Sequence, residues 1–194
     1  MLPVLLLFCS VLIFRLVPAL AGGELERTMT GISPLFAFAL CGGLFFPRKW
    51  ALPLSVGLVL LPHFIINATK GFPVIHPYAA VIVACVVLSV IAGIAVRKKA
   101  TLARVVGLSV LSTVLFHLLS NTVSFFMDPG YTRTLSGWFQ AQTTGLPEFQ
   151  PQTWVFSLKQ LLADAGFTAL FYFAMRARPA APAPVPAAAP ALTH

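Results

Sequence analysis

The chain has 194 residues, of which 58% are hydrophobic and only 9% charged, and its net charge is +8. Soluble domains carry about 25% charged residues as a hydrated coat, so this composition excludes the ordinary soluble globular class and points to a polytopic membrane protein. The positive balance does not indicate nucleic acid as a partner. The cations sit in short clusters beside apolar runs, with no basic stripe interleaved with aromatics.

A helix needs about 20 apolar residues to cross hydrocarbon, fewer where neighbours shelter it. In chain order the predicted spans are Leu2–Leu20, Ser33–Phe46, Trp50–Asn67, Pro77–Val96, Ala103–Val123 and Trp154–Met175. The fold class expected is therefore all-α, a polytopic membrane helical bundle of about six transmembrane helices over residues 1–176. The first span also has the outline of a signal peptide, with Ala19-Leu20-Ala21 as an A-x-A site. No Lys or Arg precedes the apolar run and Arg15 follows it closely, which favours a retained helix. The second span is short and starts at a Ser33-Pro34 cap-and-start pair. Between the fifth and sixth spans, residues 128–153 form a long segment rich in Gly, Gln, Thr and aromatics, the composition of an outer loop or lid. Residues 177–194 are nearly all Ala and Pro, which predicts a disordered or polyproline-like cytoplasmic tail.

With the N-terminus in the cytoplasm, the inner side receives Arg48, Lys49, Arg97, Lys98, Lys99, Arg104, Arg176 and Arg178. The outer side receives only Arg27, Lys70 and Arg133. Inner loops hold the excess of Lys and Arg, so both termini are expected in the cytoplasm of a cell with the protein in its inner (plasma) membrane.

Polar residues inside apolar spans carry the functional signal, because each is costly in lipid unless paired or wetted. His63 precedes Asn67 by four residues and His117 precedes Asn121 by four, which puts each pair on one helix face near the outer end of its span. Ser109 and Thr113 extend the second stripe inward, and Gln160, Asp164 and Thr168 form a third. Imidazole and amide groups offer donors and acceptors to a polar solute, and Asp164 offers a charge, a proton acceptor, or a partner for Arg15 or Lys159. Interhelical hydrogen bonding, at about 0.6 kcal/mol per pair, is the alternative use of such stripes. The expected substrate-binding residues are His63, Asn67, His117, Asn121, Gln160, Asp164 and Trp138. Phe139, Phe149 and Trp154 join Trp138 as an aromatic lid or wall, and Trp154 equally suits an interfacial anchor. Arg15 and Lys159 lie near span ends and can also snorkel to the outer interface. His76, beside Pro77, reads as solvated, as does His194.

Cys9, Cys41 and Cys85 lie in apolar runs without C-x-x-C spacing, so they read as buried free thiols. No G-x-S-x-G, H-E-x-x-H or phosphate-cradling glycine loop is present. Neither an enzyme nor a cofactor or metal is expected, although His63, His117 and Asp164 are types that bind zinc or iron. Ala37 with Cys41, and Ala39 with Gly43, are small-x-x-x-small pairs that admit a close helix, either inside the bundle or from a partner protein.

The run Ile32-Ser33-Pro34-Leu35-Phe36-Ala37-Phe38-Ala39-Leu40-Cys41-Gly42-Gly43 is the first of several short motifs along the chain. The others are Leu119-Ser120-Asn121, then Tyr131, Thr134 and Gly137, then Gly145-Leu146-Pro147, then Asp164 with Phe167-Thr168-Ala169-Leu170. Over residues 32–175 the chain resembles the DUF6580 family of bacterial membrane proteins. These are described as transport proteins similar to the substrate-binding (S) components of energy-coupling-factor transporters. The resemblance implies an S-component-like six-helix fold, an outer pocket closed by an outer loop, and vitamin-like molecules or metal ions as solutes. The chain departs from that pattern in having Pro62-His63 where a Ser-Asp pair is usual, and in lacking an A-x-x-x-A docking motif in Leu2–Val17.

The function expected is that of an integral membrane solute-binding or transport protein whose partners are the lipid bilayer, a small-molecule solute and, where uptake is energised, a transmembrane/ATPase module. The rivals are a structural or assembly membrane protein without a solute and an intramembrane metalloprotein.

Overall fold

The structure, a computed structural model, describes residues 2–73, 76–148 and 151–177. The Ala/Pro tail and Phe149 lie outside these residues. The described chain is all-α: α1 (Leu2–Ala21), α2 (Gly23–Met29), α3 (Leu35–Phe45), α4 (Arg48–Lys70), α5 (Pro77–Val96), α6 (Leu102–Met127), α7 (Leu135–Gln142) and α8 (Thr153–Arg176), with a 3₁₀ turn at Arg97–Lys99 after α5. Helices α1, α3, α4, α5, α6 and α8 follow the predicted spans to within a few residues, because their ends carry local stop and start chemistry, whereas the short α2 and α7 lie outside every predicted span, α7 within the expected outer loop. Gly71 ends α4 in the left-handed conformation at φ 70°. His76 caps α5 ahead of Pro77 in its first turn. The Thr101 hydroxyl caps α6 by accepting from the Arg104 N–H at 3.3 Å.

Among the described residues three helices are long and apolar enough to cross a membrane: α4, α5 with its 3₁₀ extension, and α6. The apolar stretches Leu5–Ala21 and Leu35–Phe45 are shorter. At 1.5 Å per residue, α3 is about 16 Å long, roughly half the thickness of a hydrocarbon core.

This short helix is the centre of the bundle. Every residue from Leu35 to Leu44 is buried, and α3 packs against α1, α4, α5, α6 and α8. A helix that is apolar all round is buried in protein or in lipid, and for α3 the enclosure is protein. Its ends are enclosed too, and the free N–H and C=O groups there need partners. Pro34, at the N-cap, has no side-chain acceptor. The carboxylate of Asp164, from α8, takes that role and accepts from the Ala37 N–H at 3.1 Å. At the other end Arg97 donates to the Gly43 carbonyl at 2.7 Å and the Phe46 carbonyl at 2.6 Å. An acid at the N-terminus and a guanidinium at the C-terminus both oppose the helix macrodipole, which favours the buried position.

The small residues of α3 admit its neighbours. A Cβ on Gly43 would lie 2.2 Å from the Val90 carbonyl oxygen of α5, and one on Gly93 of α5 would lie 2.2 Å from the Leu40 carbonyl oxygen. The two backbones therefore touch where both helices carry glycine. Cys41 faces α8, its Sγ 4.0 Å from the Thr168 carbonyl oxygen. Both small-x-x-x-small pairs are thus covered within the bundle.

The two ends of the molecule differ. At the basic end, Tyr172 and Arg176 both donate to the Ala100 carbonyl, with the Arg176 guanidinium 4.5 Å above the Tyr172 ring. At the opposite end, α7 lies across the exit of α6. Trp138 Nε1 donates to Thr122 Oγ1 at 3.0 Å, and Gln142 donates to the same hydroxyl at 3.2 Å. Arg133 donates to the Phe125 and Phe126 carbonyls at the end of α6. Phe125, Tyr131, Ala141 and Leu146 form a small core beneath, with Trp138 packed against it. Burial, and next the nearby Asp128 carboxylate, hold the Tyr131 phenol above its ordinary pKa, in keeping with its neutral place in this core.

Candidate functional site

A cavity of about 400 Å³ opens at the end opposite the basic cluster, lined by His63, Asn67, Phe72, Pro73, His76 and Tyr78. Its polar groups come from the end of α4 and the start of α5. The four-residue spacing stacks His63 and Asn67 one turn apart, and Asn67 Nδ2 lies 3.1 Å from His63 Nε2. The same amide donates to the Pro73 carbonyl at 2.9 Å, which ties Pro73 to the end of α4. Gly71 allows the sharp exit from α4 that this tie requires. Across the cavity, His76 Nδ1 accepts the Tyr78 N–H at 3.4 Å, so the neutral ring carries its proton on Nε2. The His76 ring stacks on Tyr78 with centroids 4.9 Å apart and planes 6° from parallel. The Tyr78 hydroxyl shares a hydrogen bond with Ser124 Oγ of α6. The result is an aromatic wall with a few hydrogen-bonding groups, the make-up of small-molecule pockets.

The polar residues of α6 and α8 meet in another place. Asp164 has no exposed surface, and Thr113 Oγ1 donates to its Oδ2 at 2.8 Å. With the Ala37 N–H, the Phe36 N–H and the Gln160 amide also on this carboxylate, its oxygens are occupied by the bundle itself. Thr168 donates to Ser109 Oγ at 2.8 Å, and Ser109 Oγ donates to the Asp164 carbonyl at 3.4 Å. The stripes predicted on these two helices thus interlock, and they hold α3 between them.

His117 lies apart from both groups. Its ring packs between Phe116 and Phe156 at centroid distances of 5.3 and 5.4 Å, and its Nε2 is buried without a hydrogen-bond partner. An unpaired buried polar atom lowers stability, so His117→Phe is expected to leave the thermal unfolding midpoint in detergent unchanged or raise it by a few degrees. A fall of more than about 5 °C would show that the imidazole makes a favourable polar contact. Asn121 is half-buried one turn further along α6. Trp138 is taken up in pinning α7 to α6, while Phe139 and Trp154 are exposed.

Of the residues expected from sequence, the structure therefore brings His63 and Asn67 together in the cavity and joins Gln160 to Asp164. His117 and Trp138 have separate surroundings. His76 and Tyr78 line the cavity although neither was singled out as a site residue. The sequence signal was present, since His before Pro at the start of an apolar run suits an N-cap. Lys159 donates to the Thr28 carbonyl at 3.3 Å, which ties α8 to the short α2. Among the described residues no group of three or more His, Cys, Asp or Glu side chains is placed to hold a metal ion.

No curated protein and no solved structure matches the chain. Residues 1–184, which include the whole bundle and both polar clusters, match the profile of a family of unknown function, DUF6580, and the chain belongs to that family.

Proposed function

We propose that the chain is a six-span membrane protein that binds a small solute from outside the cell, in the cavity lined by His63, Asn67, Phe72, Pro73, His76 and Tyr78. The spans are α1, α3, α4, α5, α6 and α8, with α3 sheltered by the others. The positive-inside rule supports a cytoplasmic position for the basic end, Arg48, Lys49 and Arg97–Lys99, and an outer position for the cavity. The observation that carries the reading is the cavity itself, where two imidazoles and an amide from facing helix ends meet over an aromatic wall. Such walls suit a solute with a flat apolar body and a hydrogen-bonding edge. An S-component-like role, with an energising transmembrane/ATPase module as partner, agrees with this arrangement and with the lack of any nucleotide-binding motif in the chain.

Mass spectrometry of small molecules retained by the detergent-purified protein tests the proposal. The wild type is expected to retain one solute reproducibly. His63→Phe is expected to lower its occupancy at least tenfold, about 1.4 kcal/mol of binding, with the unfolding midpoint little changed. Equal retention by the variant would reject this cavity. A wild type that retains nothing would favour an assembly protein, the reading that the internally satisfied Asp164, Thr113, Ser109 and Thr168 network supports.

A further inference from the structure

A second, smaller cavity of about 130 Å³ lies beside α1 and α2, and Arg15 lines it together with Glu26 and Thr30. Its volume is many times the 10–15 Å³ that admits one water. Arg15 stands six residues before the end of α1, within an apolar helix. Its Nε is buried with no hydrogen-bond partner. Among the described residues no carboxylate lies within ion-pair distance of it, because the nearby Glu26 is engaged by Lys70 at the end of α4. Thr30 donates its hydroxyl to the Glu26 carbonyl at 2.5 Å. The remaining walls include Phe14, Met29 and Ile66.

A guanidinium is always charged and carries five N–H donors in a planar fork. Held in this cavity with Glu26 taken by Lys70, it is costly, and the cost falls when an anion enters. The Lys70–Glu26 pair neutralises the one carboxylate at the cavity, so the local charge remains positive. We propose that Arg15 is the anchor of a binding site for a phosphate-type oxyanion, drawn either from solution or from the headgroup of a lipid in the adjoining leaflet. The fork accommodates two oxygens of one such group, and phosphate and lipid headgroup share that chemistry. This site is separate from the His63 cavity, and only its assignment to the outer face rests on the orientation proposed above.

The test uses the full chain in phosphate-free dodecyl maltoside. In one arm it is titrated with inorganic phosphate against chloride at matched ionic strength. In the other it is placed in mixed micelles with phosphatidylglycerol against uncharged diacylglycerol. The expected result is a saturable rise in the unfolding midpoint, with the half-saturating concentration raised at least tenfold in Arg15→Gln and unchanged in Arg27→Gln, whose side chain is exposed on α2. A response to phosphate identifies a free anion as the ligand, and a response to phosphatidylglycerol alone identifies a lipid headgroup. Absence of both responses, or equal responses in the two variants, overturns the proposal. If Arg15→Gln does not fold, Arg15→Lys and native mass spectrometry of the wild type take its place. Loss of the bidentate fork should then weaken binding several-fold, and a wild type that retains neither probe overturns the site. His63→Phe should leave the anion response intact, so failure here and failure of the solute cavity are distinguishable.

Discussion

Asp164→Leu is expected to lower stability by about 3–5 kcal/mol, a large fraction of what holds a native fold together. The replacement is apolar and similar in size, so it leaves no large void. What it removes is the acceptor for the Ala37 N–H, for Thr113 Oγ1 and for the Phe36 and Gln160 donors that face the same carboxylate. Each buried donor left unpaired costs about 1–3 kcal/mol, and native stability is typically only 5–15 kcal/mol. The N-cap of α3 is Pro34, which offers no side-chain acceptor in its place. Asp164→Asn keeps one carbonyl oxygen but turns the other acceptor into a donor, so an intermediate loss is expected. Thermal unfolding followed by size exclusion in detergent checks both. An Asp164→Leu protein that melts within about 2 °C of wild type would show that Asp164 does not hold α3.

The second large effect is expected where α3 and α5 touch. Gly43→Ala and Gly93→Ala each introduce a Cβ that would stand 2.2 Å from a carbonyl oxygen of the facing helix. Backbone cannot move aside as a side-chain tip can, so the helices must separate. A cost of about 2–3 kcal/mol is expected for each, at the upper end for overpacking. The double variant should cost less than the sum, because the first methyl already opens the gap that the second needs. Gly57→Ala and Gly107→Ala are the controls. A Cβ at either meets nothing within 4 Å, and each lies inside a helix, so a gain of up to about 1 kcal/mol is expected. Similar melting of all four single variants would mean that α3 and α5 do not cross at these glycines.

The candidate site was partly legible from sequence. The pairing of His63 with Asn67 follows from four-residue spacing on a continuous helix, and the structure keeps it at 3.1 Å. From sequence His76 reads as a solvated residue before Pro77 and Tyr78 carries no signal, because their place on the cavity depends on tertiary packing that no spacing reveals. Asp164 shows the reverse case. Its residue type suggested a solute contact, yet it meets a helix whose sequence lies 127 positions away. Arg97 looked like one more cation of an orientation cluster, but its guanidinium closes the far end of that same helix.

Local chemistry was enough to set where the six apolar helices lie and how they begin and end, though not the short α2 and α7. Apolar length, Gly71, Pro77 and Thr101 act within a few residues of themselves, and the cost of exposed backbone in an apolar setting leaves helix as the remedy. Which polar side chain serves a cavity and which serves another helix depended on three-dimensional packing. Hydrogen bonds between helices have no sequence period, so the same stripe of Ser, Thr, Gln and Asp reads alike whether it faces a ligand or the end of α3. Assembly of the bundle around one short, fully enclosed helix turned Asp164 into a cap and left His63, Asn67, His76 and Tyr78 around open space.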